Sequence, residues 1–484
     1  MKIELPGFGF ESVPSIQPLI NVGAGMDVPS GVFVVGKYGE HILNGGMTPF
    51  VGVTGLGNTY KTELIEFPQR QMIRRFPGSR SSFYDAESNK SKTRGQDLYA
   101  GHPDWQGDHL INDNRLEITS VAQHTGEIHF DILKNFLEEY KIKPANRKKI
   151  MVETPFLEVD GKSLFMMPIP TGGTIDSVSA WRTANNEKML DETKIGDKEA
   201  NTYWLNAGRY KKRLIEELPA LCTTAGHYIG TTVHLGEDVN MDPNAPVLAQ
   251  LQHLKSGVMK GAPRDYTFYT HSLYHIYGSV VLKNKTTHAP EYPRNSDENQ
   301  DAGSTDLNEI RLRMLRSKFG PSGFVLDILV SQQEGLLDYL TEFRYAKLRK
   351  FGFVGNDQNY QYALMPGVNL SRTTVRNKLV ESAALRRVAN ITCEITQIQE
   401  YHKGARAYVM SMEDLFTRIK ELGYDWDQLL ATRGWWTYDN DKQDVPFLSS
   451  RDLLEMAHMR YVPYWLRDAE VPDKVKHLKK DPLF

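Results

Sequence analysis

Cysteine is nearly absent: Cys222 and Cys393 are the only two in 484 residues, and they lie far apart in sequence. Two thiols can build neither a zinc site nor a disulfide framework, which points to a reducing compartment. Long apolar runs are missing as well. No stretch approaches the ~18 apolar residues that a membrane span requires, and the opening Met1-Lys2-Ile3-Glu4-Leu5-Pro6-Gly7 has no secretory apolar core. A cytoplasmic protein with no membrane partner is expected. Nor does charge of one sign accumulate: 58 Lys and Arg stand against 60 Asp and Glu, a formal charge of −2. Any attraction for nucleic acid must therefore come from a local basic patch. What remains is ordinary for a globular protein, with 40% hydrophobic and 24% charged residues. The length suits two or three domains of ~150 residues.

Residues 1–47 are rich in Gly and Pro, with a β-like run at Val32–Val35, and read as an N-terminal arm or oligomerisation segment. From Pro49 strands alternate with helices, the mark of a mainly parallel sheet covered on both faces. Candidate strands are Phe50–Thr54, Ser82–Asp85, Lys149–Val152, Ile175–Val178, His227–His234 and Gly278–Leu282. Helices are expected at Glu63–Phe76, kinked or cut short by Pro68, and at Ile128–Tyr140 and Tyr203–Leu218. The polar stretch 286–306 reads as a surface loop, with disorder as the alternative. Strands at Asn308–Leu315 and Phe324–Leu329 and a helix at Gly335–Arg349 follow. Beyond 370 the pattern turns helical, at Leu385–Ile395, Met412–Leu422, Trp426–Thr432 and Ser450–Met459. These bounds give a core over 48–370 and a separate, mainly helical domain over 371–484.

One stretch organises the rest. Phe50 to Thr62 reads as an apolar run, then the turn Gly55-Leu56-Gly57-Asn58-Thr59-Tyr60, then Lys61-Thr62 at a helix start. That order suits a phosphate loop: backbone N–H groups converge on an anion, Lys61 reaches the terminal phosphates, and Thr62 offers its hydroxyl to Mg2+. The usual pattern wants glycine before the lysine, and here stands Tyr60.

Three constellations follow. Asp85-Ala86-Glu87 ends the second strand, where a carboxylate beside the loop can polarise the water that attacks a γ-phosphate; the plainer reading is a solvated acidic pair. Asp176, in Thr174-Ile175-Asp176-Ser177, suits a cation that takes one or two carboxylates and keeps its waters; alternatively it caps the next helix. His234 ends an extended run, either sensing the γ-phosphate or serving as a rim residue. Farther on, Lys255, Lys260 and Arg264 lie in a Gly-containing stretch followed by Phe268, Tyr269 and His271. Mobile cations beside stacking rings suit single-stranded nucleic acid; an exposed loop leading into a core strand is the alternative.

Taken in order, these motifs resemble the RecA recombinase superfamily. Asp85-Ala86-Glu87 is similar to the segment bearing that family's catalytic glutamate, Ile175-Asp176-Ser177 to its Walker B element, and Arg316-Ser317-Lys318-Phe319-Gly320-Pro321 to a segment whose two cations reach a neighbouring subunit's nucleotide. Tyr60 and His234 are most similar to phage UvsX-type recombinases, which carry an aromatic residue and a histidine there. The resemblance covers about 48–370 and implies a RecA-like P-loop core binding ATP and Mg2+. It implies a DNA-dependent ATPase of recombination and repair, acting in the host cytoplasm as a homo-oligomeric filament on single-stranded DNA. Double-stranded DNA, single-strand-binding proteins and mediator proteins would be its partners. Glu87, Lys61 and His234 would serve catalysis; Gly55 to Thr62, with Arg316 and Lys318, would hold nucleotide; Thr62 and Asp176 would hold metal; Lys255, Lys260 and Arg264 would contact DNA. A hexameric helicase or packaging motor, and a structural paralogue without turnover, are the rival implications of the same core.

Overall fold

Strand β3 (Phe50–Gly55), third after the hairpin β1 (Val32–Val35) and β2 (His41–Asn44), is buried at every one of its six residues. The reason is a helix on each face. Val51 and Val53 join Leu64, Ile65, Phe67 and Met72 of α1 (Lys61–Arg75) in one apolar cluster. Phe50 joins Leu214, Ile215 and Leu218 of a second helix on the other. A strand covered on both sides gains from apolar residues at successive positions rather than alternate ones. The computed structural model describes residues 14–105, 110–183, 198–236, 258–263 and 265–479.

After α1 come β4 (Arg80–Asp85), α2 (Lys92–Ala100), β5 (Leu116–Ser120) and α3 (Gly126–Phe136). The hairpin β6 (Met151–Leu157) and β7 (Leu164–Pro168) precedes β8 (Thr171–Asp176), α4 (Lys198–Ala225), β9 (His227–Gly236) and β10 (Val258–Lys260). Then follow β11 (Ser272–Val281), β12 (Leu307–Ser317), β13 (Val325–Ser331), β14 (Gly335–Leu336) and α5 (Asp338–Leu348). One ten-stranded sheet runs β14-β13-β12-β11-β3-β9-β8-β4-β5, with β10 joined to β9. From β11 to β5 all neighbours are parallel; β12, β13 and β14 extend the sheet antiparallel.

The order reverses around β3. The chain leaves β3 for β4 on one side, across β8 and β9, and later returns to place β11 on the other side. Such a switch point opens a crevice outside the carboxyl ends of the strands, where ligands of α/β sheets collect.

The helical tail packs on the sheet rather than standing apart. From α6 (Ala383–Tyr401), Leu385, Val388, Ile391 and Ile395 share a cluster with Leu307, Leu329, Val28 and Leu43, so the core has no break at residue 371. The helices α7 (Met412–Leu422) and α8 (Ser450–Ala457) extend that cluster. The described part of the N-terminal arm, 14–47, bonds to the helical tail: Trp436 Nε1 donates to Leu19 O (2.9 Å) and Gln397 Nε2 to Gly25 O (2.7 Å). Among the described residues no helix is long and apolar enough to cross a membrane.

Several expected elements differ. Lys149–Val152 contributes only to the side hairpin β6–β7, outside the central sheet. The strand expected at Ile175–Val178 is shifted back to Thr171–Asp176. Gly172, a poor strand former, belongs there because α1 presses on it: a Cβ would meet Gln69 Oε1 at 1.7 Å, while Gln69 Nε2 donates to Gly173 O at 3.0 Å. Pro68 leaves α1 unbroken over 15 residues, because burial of Leu64, Ile65 and Phe67 outweighs one lost backbone bond. The stretch expected as Gly278–Leu282 begins at Ser272, and the helix expected at Gly335–Arg349 begins at Asp338 after the short β14. Helix α3 ends at Phe136 and passes into a wider π turn, Leu137–Ile142. The polar segment 286–306 is ordered. Buried Ala289 and Tyr292 anchor it, Arg294 pairs with Glu298 at 3.1 Å, and Arg372 donates to Pro290 O at 2.9 Å.

Candidate functional site

The crevice is built from the loop outward. Past Gly55 the chain turns through exposed Leu56 and through Asn58 and Tyr60, both left-handed at φ 54° and 62°. Left-handed backbone favours glycine, which explains the glycine commonly found before the lysine of such loops. Tyr60 takes that conformation while its ring, half-buried, packs on the cluster beneath the sheet, and Gln332 hydrogen-bonds its hydroxyl. No side chain caps α1, so its first-turn N–H groups have no side-chain acceptor. An anion fits them, helped by the positive end of the helix dipole. Thr59 Oγ1 donates to Leu56 O (2.8 Å) and Lys61 Nζ to the same oxygen (2.5 Å), closing the loop around its own carbonyl. Burial pulls the Lys61 ammonium below its usual range, against the pull of Asp176 and Glu87 nearby.

Three strand ends deliver the polar groups. Asp176 closes β8, paired across the sheet with Asp85 at the end of β4, and His234 lies on β9 opposite Gly55. Parallel strands ending at one level bring these residues, distant in sequence, to one edge. Asp176 is 5% exposed, and its two oxygens accept from the hydroxyls of Thr62 and Thr232. Burial raises its pKa, and the two hydroxyls oppose that shift. Asp85 accepts the Glu87 N–H (3.1 Å) and the Lys90 N–H (2.6 Å), fixing the turn after β4. The turn presents Glu87, whose Oε1 accepts from Ser177 Oγ (2.8 Å) and faces His234 Nε2 (2.7 Å). Burial raises the Glu87 carboxyl, but His234, Ser177 and the Lys61 charge outweigh it and leave the pKa lowered.

His234 is tied into the next segment. β9 outlasts β8, leaving a free edge at His234–Gly236 on which β10 pairs antiparallel, with Lys260 opposite His234. Ser179 Oγ accepts the His234 N–H (3.0 Å) and donates to Lys260 O (2.7 Å). Lys211 Nζ bonds Ser179 O and Gly261 O at 3.0 Å each, binding α4 to the same junction. The exposed Lys260 thus sits at the root of a connection whose other end carries His234. Lys255 and Arg264 lie outside the described residues.

Arg316 and Lys318 are not brought to the loop. Ser317 pairs with Ser272, which pairs with Val51 at the entering end of β3. The loop begins at Gly55, roughly 13 Å farther along the strand at 3.3 Å per residue. Arg316 stands over the exposed Phe268 ring at 5.4 Å, while Lys318 is exposed, its pKa lowered by burial and by Arg316.

A hydroxyl and a carboxylate, Thr62 and Asp176, are hard oxygen donors. No group of three or more His, Cys, Asp or Glu side chains suited to a metal occurs among the described residues. This donor set fits Mg2+, which takes few protein ligands and completes its shell with water and phosphate oxygens. Sequence reasoning passed over Thr232 and Ser177. Thr232 lies two residues before His234 and so shares its strand face, but its bond to Asp176 depends on β8 lying beside β9. No known protein-family model and no curated protein sequence matches the chain.

Proposed function

We propose that the chain is an ATP-dependent DNA recombinase of the RecA type, which assembles as a helical filament on single-stranded DNA and promotes homologous pairing with double-stranded DNA. The observation that carries this reading is the Glu87–His234 contact of 2.7 Å, beside the phosphate loop and at the root of the β9–β10 connection. It joins a group suited to activating water to a segment suited to nucleic acid.

In this mechanism the loop amides and Lys61 hold the phosphates of ATP. Thr62 and Asp176 hold Mg2+, which offsets negative charge on the phosphate oxygens when bound. Glu87, kept ionised by His234 and Ser177, orients a water and takes its proton as the water oxygen bonds to the γ-phosphorus. The bond to the bridging oxygen breaks, leaving ADP and phosphate. His234 reports the γ-phosphate through β9 to Lys260 and the segment between them. Arg316 and Lys318 lie at the far edge of their own sheet, so they serve the site of a neighbouring copy and stabilise its developing charge. Hydrolysis then depends on assembly.

Electron microscopy with single-stranded DNA and a non-hydrolysable ATP analogue tests the assembly. Continuous helical filaments are expected. Closed six-membered rings would overturn the reading in favour of a helicase or packaging motor.

A further inference from the structure

The far end of α1 opens on a cleft of about 540 Å3, lined by residues of α1, α5, α6 and the tail. Helix α1 has 15 residues, which sets this cleft roughly 20 Å from the phosphate loop at 1.5 Å per residue. Five arginines line it: Arg74, Arg75, Arg386, Arg387 and Arg433. Four carboxyl groups face them, and two of these are already engaged. Asp338 bonds His102 (3.1 Å) and Gln71 (2.9 Å), and Asp104 pairs with Arg386. Burial and the nearby Asp338 and Glu394 hold the Glu342 carboxyl well above its usual range. Asp444 is exposed at the rim.

Arg75, Arg387 and Arg433 are 8%, 7% and 5% exposed. Among the described residues none of the three has a carboxylate within 4.0 Å; Asp27, Asp338, Glu342 and Glu394 act on Arg75, and Glu394 and Glu342 on Arg387, only from beyond that range. Their N–H groups bond neutral oxygens instead. Arg387 donates to Asn390 Oδ1 (2.5 Å) and Leu448 O, and Arg433 donates to Val445 O (3.0 Å), Trp435 O (2.6 Å), Asn440 Oδ1 (2.7 Å) and Asn440 O (2.8 Å). Arg75 donates to Asn21 O and lies 4.5 Å over the Trp435 ring. The Nε atoms of Arg74, Arg75, Arg386 and Arg387 are buried with no acceptor among the described residues. Burial pulls Arg74, Arg387 and Arg433 down to about 10.

Buried cations with no carboxylate in direct contact are costly, and the cost falls when an anion enters. Guanidinium groups suit phosphoryl oxygens, which accept their paired N–H donors. The volume lies in the range of small-molecule sites. We propose that this cleft is a second binding site, for a small phosphorylated anion, held by Arg75, Arg387 and Arg433 where α1 meets the helical tail. The proposal does not depend on the ATPase reading.

Calorimetric titration of the full chain carrying Lys61→Ala, which weakens the phosphate loop, isolates this site. Pyrophosphate and ADP are the probes. At least one should bind with one-to-one stoichiometry, and adding Arg387→Gln or Arg75→Gln should weaken it about tenfold or more, the scale of one lost charged hydrogen bond. Tighter binding of ADP assigns a nucleotide; pyrophosphate binding as tightly assigns the phosphoryl groups alone. Hydrogen exchange provides a readout that needs no arginine variant: the bound anion should slow exchange at the amides of 74–76 and 383–387. The proposal is overturned if neither probe binds, if affinity is unchanged in both arginine variants, or if exchange in those segments does not respond.

Discussion

Glu87 Oε1 and His234 Nε2 lie 2.7 Å apart although 147 residues separate them. The contact exists because β4 and β9 end at the same edge of the sheet, with β8 between them. It also sets the protonation of the carboxylate. His234→Ala removes the strongest of the bonds that lower the Glu87 pKa, leaving only Ser177 and Lys61 to oppose the rise that burial causes. A lowered pKa keeps the carboxylate ionised to lower pH, so the variant should lose hydrolysis at a higher pH than the parent. The pH profile of kcat checks this, with the acidic limb displaced upward. The matching stability contribution is present above the ordinary value of 4.5 and is lost as pH falls through the folded value.

Tyr60 tests what the loop requires of its last residue. Its left-handed backbone costs an L-residue roughly 1–2 kcal/mol, and its half-buried ring returns a similar amount by packing. Tyr60→Gly should therefore change unfolding free energy by only about 1 kcal/mol in either direction. The ring packs away on the cluster under the sheet, so nucleotide affinity should stay within about threefold, a difference under ~0.7 kcal/mol. Denaturant titration and nucleotide binding measure the two effects.

Thr232 supports Asp176 through its hydroxyl, which donates to Oδ1. Thr232→Val keeps the shape but leaves one oxygen of a carboxylate that is 5% exposed without its donor. The expected cost is about 1–3 kcal/mol of stability. Without that bond the Asp176 pKa, already raised by burial, rises further. Mg2+-dependent nucleotide binding should then need more Mg2+, while metal-free binding changes little. A Mg2+ titration of nucleotide binding separates this role from a purely structural one.

The strand β3, the turn that follows it, the start of α1 and the helix α7 are legible in the sequence because each signal is local. Met412–Leu422 was read at its true bounds, since Ser411 caps it and Gly423 ends it in a left-handed turn. The start of β8 is not legible, because Gly172 fits a strand only where Gln69 of α1 leaves no room for a Cβ. Segment 286–306 looked like free loop because its anchors, Tyr292 and Arg294, are single residues in a polar stretch. At the site, Lys61, Thr62, Glu87, Asp176 and His234 were named from motif order, and they converge on one edge of the sheet. Thr232 and Ser177 were not named, because their partners come from strand adjacency that no local pattern encodes.

The central claim is that Glu87 serves an ATP hydrolysis coupled to single-stranded DNA. The direct measurement is the ATPase rate of the parent and of Glu87→Gln, each with and without single-stranded DNA, with nucleotide binding measured beside it. The account predicts hydrolysis that rises when DNA is added. In Glu87→Gln it predicts a fall of about 100-fold or more, the usual contribution of a general base, with nucleotide binding intact. No hydrolysis by the parent under either condition, or an unchanged rate in the variant, would contradict it.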